Sequence, residues 1–214
     1  KELKKRIFTS IILIAIVLNC LFINNLSWLI LLSIVSLICW FEFINLSKSI
    51  WKKKTIIILP ITLSFFFLFL FLYTTLKLKI DNGENFILFV LLVCIFSDVG
   101  GYVVGRSIGG KKLTKISPNK TISGSIGSFL FSLFPVGIWS IFVQESPVHN
   151  VILFCLLVSL SCQLGDLIIS YFKRLAKVKD TGNILPGHGG MLDRIDGIIF
   201  AIPTILIIQT LLLL

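Results

Sequence analysis

The sequence predicts an all-α fold, a multi-pass transmembrane helical bundle of about seven spans with its N-terminus in the cytoplasm. Three observations carry that prediction. Of the 214 residues, 56% are hydrophobic and only 14% charged, whereas soluble domains are about a quarter charged, and the mean hydropathy is +1.01. The apolar residues come in blocks of about 20, the length that crosses a bilayer as a helix. Lys and Arg fall almost entirely on one side of those blocks.

Taken in order, the expected spans are 7–23, 26–46, 55–74, 86–105, 124–143, 149–172 and 195–214. Each should be helical, because hydrocarbon offers no partner to an open backbone N–H or C=O. The first follows Lys1, Lys4, Lys5 and Arg6. It lacks a small-residue cleavage site and more spans come after it, so it is expected to be retained rather than removed as a leader. The second follows "NN" and ends near "WFEFINLSKS", where Glu42 either snorkels to the surface or pairs with Lys48, or belongs to a site as an ionisable residue inside a span. Pro60, Pro135 and Pro203 interrupt the third, fifth and seventh spans, which a packed bundle tolerates. The chain divides into N-terminal helices (1–80) and a second region (81–214) with two polar loops, 105–123 and 173–195. Five cysteines, all inside apolar runs and without ligand spacing, read as small buried hydrophobes.

Orientation follows from counting cations. With the N-terminus inside, 18 of the 20 Lys and Arg residues face the cytoplasm, and only Lys77 and Lys79 lie outside. That bias sets the topology. It also explains the net charge of +10 without nucleic acid: cations beside spans meet anionic lipid or substrate. Both long polar loops then face the cytoplasm, whereas the outer connections "NN", "KLKIDNGEN" and "QESPVHN" are plain.

Ionisable residues inside spans are costly and point to function. In the sixth span Ser159, Gln163, Asp166, Ser170 and Lys173 recur at helical spacing, forming one polar stripe that ends at Lys173 and Arg174. Asp98 lies near the inner end of the fourth span, where Gly101 and Gly105 have the small-xxx-small spacing that admits a close neighbouring helix. It is equally readable as a site residue or as the ion partner of a nearby cation. Loop 105–123 carries Arg106, Lys111, Lys112, Lys115 and Lys120 among glycines, and Lys120, Thr121 and Ser123 should stand at the start of the fifth span, where a helix N-terminus suits phosphate. Asp193 and Asp196 are three apart at the start of the seventh span. They suit the helix dipole, and they also suit Mg²⁺, which takes few carboxylates and bridges to phosphates. Asp166 and Asp193 could meet in space. His188, in "PGHGG", could be a base, a phosphate donor or a loop hydrogen bond. Together these residues are equipment for a phosphate-containing substrate at a membrane surface.

The stretch "SYFKRLAKVKDTGNILPGHGGMLDRID" resembles the C-terminal motif of the phosphatidate cytidylyltransferases, the CDP-diacylglycerol synthases. Ser170, Lys173, Arg174, Lys179, Asp180, Gly182, Pro186, Gly187, His188, Gly189, Gly190, Asp193, Arg194 and Asp196 fall on its fixed positions. "SDVGGYVVGRSIGGKKLTKISPNKT" and "WFEFINL" resemble two earlier segments of the family. One departure is Ser123, which stands where many members have an acid. The resemblance implies transfer of CMP from CTP to phosphatidate, giving CDP-diacylglycerol and pyrophosphate for phospholipid synthesis. It implies catalytic roles for Asp166, Ser170, Lys173, Arg174, Lys179 and Asp193. Asp98, Arg106, Lys120, Thr121, Asp180, Gly187, His188, Gly189, Gly190 and Arg194 would bind substrate or nucleotide. Asp166, Asp193 and Asp196 would ligate metal: Mg²⁺, as one or two divalent ions or one with a monovalent cation. The expected partners are CTP, phosphatidate, membrane lipid and a second copy of the chain, with no nucleic acid, in a bacterial plasma membrane. Two rival readings are a CTP-dependent lipid kinase of the dolichol- or phytol-kinase type and an anion transporter. A transporter should place its polar groups near the midplane, whereas here they crowd one side.

Overall fold

Long apolar stretches become helices, and the polar or glycine residues between them become the breaks. The computed structural model describes residues 2–137, 139, 147–185 and 189–212, with side chains described from residue 8 onward except at 54 and 212. The helices are α1 (Glu2–Ile23), α2 (Asn25–Ile50), α3 (Lys54–Asn82), α4 (Glu84–Ile108), α5 (Ile122–Phe131), α6 (Val148–Leu175) and α7 (Leu192–Leu212). Five of them, α2, α3, α4, α6 and α7, contain stretches long and apolar enough to cross a membrane.

Each break has a local cause. Asn24 caps α2: its side chain accepts from Ser27 N (2.7 Å) while Ser27 Oγ accepts from Asn24 N, satisfying two donors that a helix start leaves open. Between α3 and α4, Gly83 adopts φ +85°, a left-handed conformation that suits glycine. The fifth expected span begins as α5 but leaves the helix after Phe131. Ser132 Oγ donates back to Phe129 O (2.7 Å), and Leu133 N and Phe134 N close tight turns onto Leu130 O and Phe131 O before Pro135. The rest of that span reaches outside the described residues. Pro60 and Pro203 stay inside α3 and α7. At the end of α6 Lys177 takes φ +58° and Val178 N bonds Lys173 O (3.0 Å), a Schellman closure with lysine where glycine is usual.

The chain forms two compact units. The first comprises Lys1–Glu84 with Phe172–Ile195. In it Trp40 of α2 donates its Nε1–H to Ile61 O of α3 (3.3 Å) and sets its ring edge on Phe65. Phe172 packs edge-on against Phe43, with ring centroids 5.3 Å apart. At the far end of α3, Lys79 is buried, donating to Asn24 O (3.1 Å) beside the Trp28 ring.

The second unit comprises Asn85–Tyr171 with Asp196–Leu214. Its apolar centre is a cluster of Phe86, Phe89, Trp139 and Phe154. Lipid tails are as apolar as the helices, so association here rests on close backbone packing. Helices α4 and α5 meet glycine to glycine: a Cβ on Gly100 would lie 2.4 Å from Gly127 O, and one on Gly105 would lie 3.3 Å from Gly124 Cα. The spacing of Gly101 and Gly105 anticipated this contact. Helices α6 and α7 use the same device, with Gly165 against Asp196 O and Phe200, and Gly197 against Cys162.

Candidate active site

The predicted site residues fall into two groups, one in each unit. In the second unit a cavity of about 340 Å³ opens between α4, α5, α6 and the loop before α5, with Asp98, Lys120, Ser125, Gln163 and Asp166 in its wall. The loop is held to its shape by backbone bonds. Leu113 N donates to Lys120 O (2.8 Å), Lys120 N to Ser117 O (3.0 Å) and Ile122 N to Lys111 O (3.0 Å). Thr121 then caps α5 by accepting from Gly124 N (3.0 Å), which places Lys120 at the mouth of that helix as the sequence suggested. Ser123 uses its hydroxyl on Gly109 O and lies 2.9 Å from the Thr121 hydroxyl. At this position the chain has a loop staple in place of an acid.

Lys120 forms an ion pair with Asp166, and Ser170, one turn further along α6, donates to the same carboxylate (3.2 Å). The stripe continues inward. Ser125 donates to Gln163 Oε1 (2.6 Å), Gln163 Nε2 donates to Ser159 Oγ (3.3 Å), and Ser159 and Ser97 share a hydrogen bond (2.8 Å). Four side chains thus tie α4, α5 and α6 together through the cavity floor. The Cys162 thiol faces Asp98 Oδ1 at 3.8 Å. Arg106 is exposed and donates to the Tyr102 hydroxyl (2.7 Å).

In the first unit the centre is Asp193. Its Oδ1 accepts from Lys173 Nζ at 2.7 Å, and the two side chains are only 6% and 12% exposed. Its Oδ2 accepts from Thr181 N (2.7 Å) and Gly190 N (3.1 Å) and lies 3.1 Å from Thr181 Oγ1. A carboxylate that accepts several backbone N–H groups is held as an anion, so Asp193 organises the loop and fixes the ammonium of Lys173 at once. Gly189, at φ +86°, would bring a Cβ within 3.3 Å of the Asp180 side chain. Arg174, Lys179, Asp180 and Arg194 are exposed. Gly187 and His188, with Pro186, lie outside the described residues.

Sequence reasoning missed Glu42. It does not snorkel: it is 3% exposed and accepts from Met191 N (2.9 Å), Leu192 N (2.9 Å) and Thr181 Oγ1 (2.9 Å). The first two donors are the open N–H groups at the start of α7. Gly182 and Gly190 lie flat on the same carboxylate, since a Cβ would come within 2.7 Å and 2.5 Å of its oxygens. The available signal was joint: a carboxylate in an apolar span and a distant glycine-rich loop, in which Gly182 and Gly190 take no left-handed φ.

A hard cation needs oxygen ligands with free lone pairs. Asp166 has one described partner on each oxygen, which leaves acceptor capacity on both. Asp196 belongs to the same unit, and its carbonyl touches the residue preceding Asp166. The Asp193 oxygens are engaged by Lys173, Thr181 and Gly190. Among the described residues no three His, Cys, Asp or Glu side chains gather as a metal cluster; Mg²⁺ takes few protein carboxylates and completes its shell with water and substrate phosphate. The donor set around Asp166 therefore fits Mg²⁺.

Residues 51–212 match the family model of the cytidylyltransferase family. The chain belongs to that family. Among curated relatives, the phosphatidate cytidylyltransferase of Staphylococcus epidermidis is 45% identical over 132 residues, 60% of this chain and 51% of the relative. That of Staphylococcus aureus strain COL is 44% identical over 132 residues, with the same shares. That of Bacillus subtilis is 43% identical over 123 residues, 56% of this chain and 46% of the relative. The chain spans about half the length of the curated relatives it matches. Each of the two groups of site residues pairs one lysine with one aspartate.

Proposed function

We propose that this chain transfers the cytidylyl group of CTP to phosphatidate, forming CDP-diacylglycerol and releasing pyrophosphate, on the cytoplasmic side of a bacterial plasma membrane. The observation that carries the proposal is the pairing of two lysines, half-buried Lys120 and the more deeply buried Lys173, with Asp166 and Asp193, in a family member with relatives named for this reaction.

The chemistry needs little proton traffic. An oxygen of the phosphatidate phosphate attacks the α-phosphorus of CTP, a new P–O bond forms, and the bond from that phosphorus to the β-phosphate oxygen breaks with its electron pair leaving on pyrophosphate. The nucleophile is already anionic near neutral pH, so no strong base is required. The barrier lies in bringing anions together and stabilising the leaving group, which is a matter of positioning and charge. Lys120 in the second unit and Lys173 in the first are each a cation that a phosphate could take up. Each is held by its aspartate until a phosphate competes for the ammonium. Ser170 keeps Asp166 oriented, and Asp193 keeps the 181–190 backbone folded around Lys173. Asp166 with Asp196 would hold Mg²⁺, which would supply positive charge against the repulsion between the substrate phosphates. The acyl chains of phosphatidate stay in the bilayer.

The test is incorporation of label from CTP into lipid by the purified protein in phosphatidate-containing vesicles with Mg²⁺. Label at the α-phosphate should enter CDP-diacylglycerol, and label at the γ-phosphate should not. Transfer of γ-label to a lipid alcohol would replace the proposal with a lipid kinase. Anion uptake into vesicles without CTP turnover would replace it with a transporter.

A further inference from the structure

We infer that Glu42, a residue of α2 far from the motif in sequence, is a positioning residue for the loop that carries Lys173's partner, and that it must be a carboxylate to do this. The inference rests on the proposed function for its kinetic part and on geometry alone for the rest.

The geometry is restrictive. Oε1 accepts from Met191 N, whereas Oε2 accepts from Leu192 N and Thr181 Oγ1, all at 2.9 Å. The neighbour of Leu192 is Asp193, and Thr181 also donates its backbone N–H to Asp193 Oδ2. The Thr181 hydroxyl, with one proton, stands 2.9 Å from Glu42 Oε2 and 3.1 Å from Asp193 Oδ2. Glu42 therefore touches the start of α7 and the Thr181 turn, the two segments between which Asp193 is fixed. Gly182 and Gly190 close over its carboxylate with no room for a Cβ. Because both oxygens receive a backbone N–H, glutamine cannot substitute. Its NH₂ would face Met191 N–H in one orientation and Leu192 N–H in the other, so one buried donor always loses its acceptor.

The experiment compares wild type, Glu42→Gln and Leu46→Ala in detergent micelles. Leu46 is buried one turn further along α2, and its truncation supplies a loss of packing in the same helix while leaving the Glu42 carboxylate in place. The first arm needs no substrate: backbone hydrogen exchange by mass spectrometry. Glu42→Gln should speed exchange of peptides covering Met191–Ile195 at least tenfold over wild type, and Leu46→Ala should not. The second arm is kinetics. Glu42→Gln should raise the KM for CTP at least fivefold with little change in that for phosphatidate, and Leu46→Ala should leave both near wild type. Unchanged exchange at Met191–Ile195 would overturn the inference, and so would kinetic constants that shift alike in the two variants. If wild type makes no CDP-diacylglycerol, the functional proposal fails and the exchange arm still decides the placement of Glu42. Should Glu42→Gln not fold, Glu42→Asp, which keeps two acceptor oxygens on a shorter stem, carries both arms with smaller expected shifts.

Discussion

Replacing Lys173 by methionine removes an ammonium and keeps a flexible apolar stem of similar length. The structure sets the size of the effect. Lys173 and Asp193 are 12% and 6% exposed, at 2.7 Å, so the pair belongs with buried ion pairs rather than with surface pairs worth about 0–1 kcal/mol. Removing one partner of a buried pair costs about 3–5 kcal/mol, because the other charge is left unpaired. Here the lower end applies, since Thr181 N and Gly190 N still donate to Asp193. Lys173→Met should therefore destabilise the first unit by roughly 3 kcal/mol. Asp193→Asn should cost a similar amount, because its amide must face either the Lys173 ammonium or two backbone N–H groups. The double variant should cost less than the sum, with a coupling of about 2 kcal/mol. Denaturant unfolding in micelles, followed by tryptophan fluorescence, measures all three. A coupling below about 0.5 kcal/mol would put the pair in the surface class, and the assignment of Lys173 as a cation held ready by Asp193 would fall.

Other expectations follow from the same contacts. Asp166→Asn should abolish CTP incorporation in vesicles while leaving the protein inserted and folded by circular dichroism, since Lys120 and Ser170 lose the anion that they share; substantial turnover would refute its role. Gly100→Ala would place a Cβ 2.4 Å from Gly127 O, an overpacking that costs roughly 1–3 kcal/mol and that unfolding in micelles should register as a lower midpoint. Gly190→Ala would set a Cβ 2.2 Å from Thr181 Oγ1 and 2.5 Å from Glu42 Oε2, and its exchange pattern should resemble that of Glu42→Gln. Lys177→Gly should stabilise the chain by up to about 1 kcal/mol, because a non-glycine residue in the left-handed region carries a penalty of roughly that size; a lower unfolding midpoint would refute it.

The helices were legible because hydrocarbon leaves the backbone one solution, and their order could be read from the apolar blocks. Their ends were less so. The second and third helices run on to Ile50 and Asn82, past residues whose polarity suggested a stop; in the third, Lys79 finds a backbone acceptor at Asn24 and a ring at Trp28. Helix α5 ends early because the Ser132 hydroxyl and the turn bonds up to Pro135 take over its last carbonyls. Within the site, contacts along one helix were readable: Ser170 with Asp166 and Gln163 with Ser159 follow from spacing alone. Contacts across the chain were not. Nothing near Glu42 announces Met191 or Leu192, which lie 149 and 150 residues away, and local patterns carry no record of such pairs.

That separation also sets an order of events during synthesis. Helix α2 enters the membrane long before Met191 and Leu192 exist, so Glu42 waits among lipid and neighbouring helices with no backbone donor from α7. Insertion of an acidic residue at the centre of a span costs about 2.5–3.5 kcal/mol, less towards the end, where Glu42 sits within two turns or so of Ile50. The apolar length of α2 carries that burden in the interval. The first unit can close only when residue 192 has been made, and a chain halted earlier would display an unmatched carboxylate in the bilayer, a chemical mark of unfinished assembly.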